Sequence, residues 1–109
     1  MLTKIISPIL TIRFFSRPTC SLCIDAKEIL YPLVDENFDS SLIKVEEIDI
    51  DQPQNKEYYD LYKNDVPVCM VDKKLIFKHR LLDEDKFIFD IDNLFKQKQN
   101  QQQTNKQNK

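Results

Sequence analysis

Two cysteines, Cys20 and Cys23, flank Ser21-Leu22 in the stretch FFSRPTCSLCIDAKEIL. Three kinds of role fit such a pair: a redox dithiol, half of a metal site, or two small core residues. The pair follows an apolar, β-branched run and precedes a helical pattern. In an intracellular protein, a C-x-x-C motif at a strand-to-helix junction is a candidate redox site.

The metal alternative lacks ligands. A zinc or iron–sulfur site needs four, and besides the pair only Cys69 and His79 remain, with nine residues between them. A second ligand pair is usually separated by about two to five residues. We therefore expect no metal site, and Cys69, which lies in an apolar strand, is expected to be a core residue.

Length and charge limit the class of protein. A chain of 109 residues has room for one domain, and residues 1–95 carry twelve basic against eighteen acidic residues, a net charge of −6. An acidic domain argues against nucleic acid as a partner, and no apolar run is long enough for a membrane span. We expect a monomer in the cytoplasm.

The N-terminal segment, with Lys4, Arg13, Arg17 and no acidic residue, resembles a mitochondrial transit peptide. Cleavage would remove the first predicted strand, so no cleaved signal is expected and a mitochondrial location is the alternative.

Periodicity predicts the element order β-α-β-α-β-β-α. Because a βαβ unit linked to a terminal ββα unit shares one sheet, this order predicts an α/β fold with a mixed four-stranded sheet covered by helices. The apolar stripe of the first helix passes through Pro32 unbroken, and this proline predicts a kink. The predicted strands are 9–15, 41–50, 66–71 and 75–78. The first predicted helix covers about 20–37, and the second runs from Pro53 to Asn64 with an apolar side of Tyr58, Leu61 and Tyr62. The third helix follows a cap at Asp83.

The absence of glycine and the C-terminal composition are the remaining compositional features. With 0 glycines, turns that need a positive φ are assigned to Asn37, Asn64 or Asp72.

Residues 96–109 are rich in Gln, Asn and Lys and have nothing to bury, so we predict a domain at 1–95 and a disordered tail at 96–109.

The predicted elements place the chemistry at the start of the first helix. There, unpaired N–H groups and the helix dipole favour a Cys20 thiolate, while Cys23, one turn further in, can attack a mixed disulfide on Cys20. Arg17 adds positive charge on the approach loop. Pro67, in the run VPV, opens a predicted buried strand although a proline has no N–H for the strand pairing. A cis Pro67 would explain this position, because it would leave the backbone of Val66 free to pair with an extended substrate.

The motifs RFFSRPTCSLC, IDI and VPV resemble the glutaredoxin branch of the thioredoxin-fold superfamily, and S-R-x-x-C-x-L-C with a late His-Arg resembles a small glutaredoxin-like family. The resemblance covers about residues 9–95. It implies a thioredoxin-like fold, Cys20 and Cys23 as the redox pair and Pro67 as the cis-proline. It also implies that Arg17 holds a glutathione carboxylate and that the backbone of Val66 pairs with the tripeptide.

Two departures concern glutathione. Ser21-Leu22 replaces the usual Pro-Tyr between the cysteines, and KHRLLDED lacks the glycine pair that lets a backbone approach glutathione. Hairpin topology brings His79 and Arg80 near Pro67, where we expect either one to supply charge to a substrate carboxylate or to the Cys20 thiolate.

The leading hypothesis is a thiol–disulfide oxidoreductase of glutaredoxin-like type without a permanently bound cofactor, acting on a thiol or disulfide substrate, protein or glutathione. Two alternatives stay open: a non-catalytic binding module that keeps the fold, and an iron–sulfur carrier that bridges two chains.

Overall fold

The polypeptide forms a mixed four-stranded sheet with helices on both faces. The computed structural model describes residues 10–107, with side chains through residue 98. The strand order in the sheet is β2-β1-β3-β4, and the element order is the predicted β-α-β-α-β-β-α, so the thioredoxin-like fold class is confirmed. The elements are β1 (Leu10–Ser16), α1 (Ser21–Asn37), β2 (Ile43–Asp49), a 3₁₀ turn (Pro53–Asn55), α2 (Lys56–Tyr62), β3 (Val68–Val71), β4 (Lys74–Lys78) and α3 (Glu84–Gln107).

Strand β1 is central and pairs with two neighbours. Its pairing with β2 is parallel, in a register that runs from Leu10 opposite Ile43 to Ser16 opposite Asp49. Its pairing with β3 is antiparallel, and β4 returns beside β3. Because β1 and β2 are parallel, their carboxyl ends meet at one edge of the sheet, where α1 begins.

Apolar side chains form two clusters, one on each side of the sheet. The larger joins β1 to helices α1 and α3, whereas the smaller joins Phe15 to the tyrosines of α2. The ring of Phe15 lies 4.9 Å from Tyr58 and 4.7 Å from Tyr62, measured between centroids. Alternation along β1 explains the division, since Phe14 and Phe15 point to opposite faces.

Helix α1 runs without interruption through Pro32. The proline was predicted to kink the helix because it removes one backbone hydrogen bond. Its side chain is exposed, so the carbonyl one turn earlier, at Glu28, can bond to water instead. The buried stripe includes Ala26, Leu30 and Leu33, in agreement with the predicted periodicity.

Two predictions about α2 are corrected. The segment begins as a 3₁₀ turn at Pro53 and becomes α-helical only at Lys56. Leu61, assigned to the buried side, is 59% exposed, and Tyr59 packs against the smaller cluster instead. An aromatic ring with a polar hydroxyl can lie at the border of the core, so the buried side of this helix is aromatic rather than aliphatic.

Helix α3 continues to Gln107 and so includes most of the segment that the composition predicts to be a disordered tail. Gln and Lys are good helix formers, and extending an existing helix costs less than starting one. Lys96 pairs with Asp92 at 3.0 Å, and Lys98 reaches Asp72 in the β3–β4 turn at 3.0 Å. Ile9, predicted as the first strand residue, and the final two residues of the tail lie outside the described residues.

Turn and cap chemistry is partly as predicted. Asp72 has a φ of 53°, and His79, which was not predicted, has a φ of 70°. Asp83 caps α3, because its carboxylate accepts from the N–H of Lys86 at 3.0 Å. Within residues 10–107, no helix is long and apolar enough to cross a membrane.

We predict that Ile91→Ala destabilises the protein by about 2–5 kcal/mol, because Ile91 is fully buried between α3 and the sheet. The matched control on the same helix is Phe89→Ala, at a side chain that is 63% exposed, where the expected change is within about 0.5 kcal/mol. Urea unfolding followed by circular dichroism measures both, and equal losses would show that the core does not extend to this turn of α3.

Candidate active site

Cys20 is the N-cap residue of α1, at the end of the loop that leaves β1. Its backbone is extended, with φ −95° and ψ 112°, and its carbonyl accepts from the N–H of Ile24 at 3.1 Å. Its Sγ accepts a hydrogen bond from the N–H of Cys23 at 3.1 Å. The sulfur therefore occupies the place that a serine or aspartate oxygen takes at an ordinary N-cap, with no acidic residue in the first turn of the helix.

The two cysteines are joined by a disulfide bond, with their Cα atoms 5.2 Å apart. Cys20 is partly accessible, whereas Cys23 is only 2% exposed and packs in the smaller cluster with Phe15 and Val66. An incoming molecule can therefore reach Cys20 but not Cys23. The order of attack expected from the sequence, Cys20 before Cys23, requires such an asymmetry.

The Val66-Pro67 loop lies on the same cluster as the cysteines. The Val66–Pro67 peptide bond is cis, as the sequence indicated, and both residues are buried. The backbone of Val66 is only half available, since its N–H donates to the carbonyl of Tyr62 at 3.1 Å. The prediction that this backbone is free for a substrate is wrong for its N–H group.

Arg17 is held by a neighbour rather than pointing freely to solvent. Its Nε donates to Oδ1 of Asp51 at 2.9 Å, and its guanidinium lies 5.3 Å from the ring centroid of Tyr59. The hydrogen bond to Asp51 raises the pKa of Arg17 above its usual value. The ion pair connects the loop before Cys20 to the segment after β2.

His79 and Arg80 follow β4 and lie on the side of the hairpin predicted from topology. The N–H of His79 donates to the carbonyl of Pro67 at 2.8 Å, and its Nε2 is 3.9 Å from Oδ1 of Asp65. Arg80 lines a cavity together with Leu22, the residue before Cys23, and with Asp25 of α1. Both residues therefore lie close to the cysteine edge.

A cavity of about 210 Å³ lies on the other side of the cysteine pair, and Cys23 forms part of its wall. Its polar lining includes Glu47, whose carboxylate accepts from Nζ of Lys27 at 3.0 Å and from the hydroxyl of Tyr31 at 3.2 Å. Ser16 donates a third, longer bond of 3.4 Å to the same carboxylate. Burial, and then the charge and hydrogen bond of Glu47, raise the pKa of Tyr31 to about 12.

The sequence analysis did not identify Glu47 and Lys27 as residues beside the cysteine pair. For Lys27 a signal was available, because Cys23, Lys27 and Tyr31 recur every fourth residue and therefore share one face of α1. Nothing in the sequence tells which residue of β2 meets that face, because this depends on the register of two strands separated by α1.

Within the part of the chain that the structure describes, no group of three or more His, Cys, Asp or Glu side chains is arranged to hold a metal ion. Cys69, a possible fourth ligand by sequence, is fully buried in β3 inside the larger cluster.

Comparison with known proteins adds three findings. A family model described as glutaredoxin-like domain (DUF836) matches residues 11–91. A protein of Dictyostelium discoideum named "Glutaredoxin-like protein YDR286C homolog" is 54% identical over 99 residues, which cover 89% of this chain and 91% of that protein. The solution NMR structure of protein Ne2328 from Nitrosomonas europaea superposes with a TM-score of 0.52 at 25% identity, covering 77% of this chain and 92% of that one.

We predict that Cys69 resists alkylation in the folded, reduced protein. Burial raises the pKa of its thiol well above the usual value, so the thiol stays protonated at neutral and mildly alkaline pH. Mass spectrometry after iodoacetamide treatment should find label on Cys20 and none on Cys69, and denaturant should expose Cys69. Labelling of Cys69 at the rate of an exposed thiol in native buffer would contradict its placement.

Proposed function

This chain belongs to the glutaredoxin-like domain (DUF836) family, and on that premise we propose that it is a thiol–disulfide oxidoreductase in which Cys20 attacks and Cys23 resolves. The observation that carries the proposal is the difference between the two sulfurs. Cys20 is accessible at the start of α1, and Cys23 is buried one turn further along the same helix.

The position of Cys20 favours its thiolate. The first turn of α1 has N–H groups without helical partners, and one of them, that of Cys23, already donates to the sulfur of Cys20. The positive end of the helix dipole acts in the same direction, and no acidic side chain in the first turn offsets it. A thiolate is the nucleophile in disulfide exchange, so this position makes Cys20 the reactive partner.

Exchange then proceeds in two displacements. The Cys20 thiolate attacks one sulfur of a substrate disulfide, the substrate S–S bond breaks, and one substrate thiolate leaves with the bonding electron pair. The Cys23 thiolate next attacks Cys20 Sγ, and the second substrate thiolate leaves. The substrate has gained two electrons and the protein holds the Cys20–Cys23 disulfide, which two molecules of an external thiol such as glutathione return to the dithiol.

The groups around the cysteines suggest how a substrate is held. The carbonyl of Val66, in the buried cis-proline loop, is the backbone group left for an extended substrate, since its N–H is occupied. Arg17, His79 and Arg80 place positive or titratable groups on both sides of the pair. We propose glutathione or a glutathione-bearing protein as a substrate, with Arg17 sharing its guanidinium between Asp51 and a substrate carboxylate.

We predict that Cys20→Ser abolishes reduction of a peptide that carries glutathione in disulfide linkage, because the attacking sulfur is lost. Cys23→Ser should accumulate a glutathione adduct on Cys20 and keep only monothiol turnover. Cys69→Ala is the matched control and should retain the full rate, since Cys69 is remote from the exchange. Full dithiol turnover by Cys20→Ser would refute the proposal.

We predict that Arg17→Gln raises the KM for the same peptide about tenfold and changes kcat little, because one charged hydrogen bond to the substrate carboxylate is lost. Arg13→Gln provides the control, because Arg13 lies on the same strand-loop segment but pairs with Glu46 at 3.6 Å. Identical KM values in the two variants, with unchanged melting temperatures, would show that Arg17 serves only its contact with Asp51.

A further inference from the structure

The proposed exchange leaves one proton unaccounted for. Cys23 must lose its proton before it can attack the mixed disulfide on Cys20, yet its side chain is only 2% exposed. Burial disfavours a thiolate, so the proton needs an acceptor close at hand. The resolving step, which rests on the proposed function, therefore requires a group that takes this proton.

The cavity beside Cys23 provides a path to an acceptor. Its volume of about 210 Å³ has room for several water molecules, each of which takes about 30 Å³ in the liquid. Two carboxylates line it, those of Glu47 and Asp49. The charged and titratable groups on the cavity side of Cys23 are Arg17 from the loop after β1, Lys27 and Tyr31 from α1, and Glu47 and Asp49 from β2. On the other side of Cys23 lie Cys20 and the three tyrosines of α2, Tyr58, Tyr59 and Tyr62.

The two carboxylates differ in what a proton would disrupt. Asp49 accepts from the backbone N–H of Asp51 at 2.9 Å and from the side-chain amide N–H of Gln52 at 3.2 Å. The backbone N–H of Asp51 cannot accept, so a proton on Oδ1 would remove that bond, and a proton on Oδ2 would be accepted only if the Gln52 amide turned over. Asp49 is therefore poorly suited to the role.

Glu47 has partners that can adjust. Ser16 and Tyr31 bond to it through hydroxyl groups, which can turn from donor to acceptor, and Lys27 reaches it on a flexible stem. Lys27 also lies one helical turn after Cys23 on the same face of α1, and both residues line the cavity.

We propose that Glu47 accepts the proton of Cys23 through the cavity during the resolving step, and that Lys27 stabilises the thiolate that forms. Before transfer, Glu47 is a carboxylate paired with the Lys27 ammonium and Cys23 is a thiol. After transfer, Glu47 is neutral, and the Lys27 ammonium faces the Cys23 thiolate. Attack on Cys20 Sγ then forms the Cys20–Cys23 bond and expels the substrate thiolate, which takes up the proton from Glu47 through solvent.

The test separates the two displacements with dithio-bis-nitrobenzoate, added in an equal amount to the reduced protein in a Cys69→Ala background. Attack by Cys20 releases a first coloured thiolate, and resolution by Cys23 releases a second. Glu47→Gln should leave the first release within about twofold and slow the second by about tenfold or more near neutral pH, since a positioned base contributes about 10²–10⁴-fold. The rate of the second release should also change from nearly flat with pH to rising about tenfold per pH unit.

The matched control is Glu46→Gln, on the neighbouring residue of β2, whose carboxylate pairs with Arg13 and does not line the cavity. A second pair of variants removes and restores the charge: Lys27→Met should slow the second release, and Lys27→Arg should recover most of the rate even if Glu47→Gln fails to fold. Parallel pH profiles in Glu47→Gln and Glu46→Gln would overturn the role of Glu47. By contrast, absence of a second release in the unsubstituted protein would refute the proposed dithiol exchange itself.

Discussion

The parallel pairing of β1 with β2 is the constraint on which the site depends. Two parallel neighbours cannot be joined by a tight turn, so the chain must cross over through α1 before β2 can begin. The crossover places the start of α1 at the carboxyl end of β1, and the register brings Ser16 opposite Asp49 at that edge. The backbone N–H of Ile50 donates to the carbonyl of Ser16 at 3.0 Å and extends the pairing to the edge itself. Cys20, Arg17 and Asp51 are neighbours for this reason.

The same geometry explains why the two cysteine side chains, although chemically identical, have different environments. Cys20 stands at the N-cap, where its sulfur receives a helix N–H, and Cys23 points into the cluster of Phe15 and Val66. In the exchange that we propose, exposure and the helix start favour attack by the first sulfur, while burial protects the second until a mixed disulfide is adjacent. Burial also hinders loss of the second thiol's proton to bulk solvent, and the proposal assigns that proton to the cavity lined by Glu47 and Lys27.

Much of the fold and the centre of the site could be predicted from local patterns. The apolar run of β1, the stripe of α1, the cap at Asp83 and the turn at Asp72 each follow from a few adjacent residues. Most of what was missed depends on distant parts of the chain. The pairing of Arg17 with Asp51 and the contact of Lys27 with Glu47 both require the strand register. The bond from the N–H of Val66 to the carbonyl of Tyr62 was also missed, although it is a local contact between residues four apart. Residues 96–107 continue α3, and the composition of this segment alone does not indicate that a formed helix precedes it.

The central claim is that Cys20 and Cys23 act together as a dithiol, and mass spectrometry of the reduced protein after mild treatment with oxidised glutathione tests it most directly. The account predicts a transient glutathione adduct on Cys20, followed by a species without glutathione that contains the Cys20–Cys23 disulfide and free Cys69. A protein that keeps the mass of the fully reduced chain, or that stops at a stable adduct without forming the internal disulfide, would contradict it.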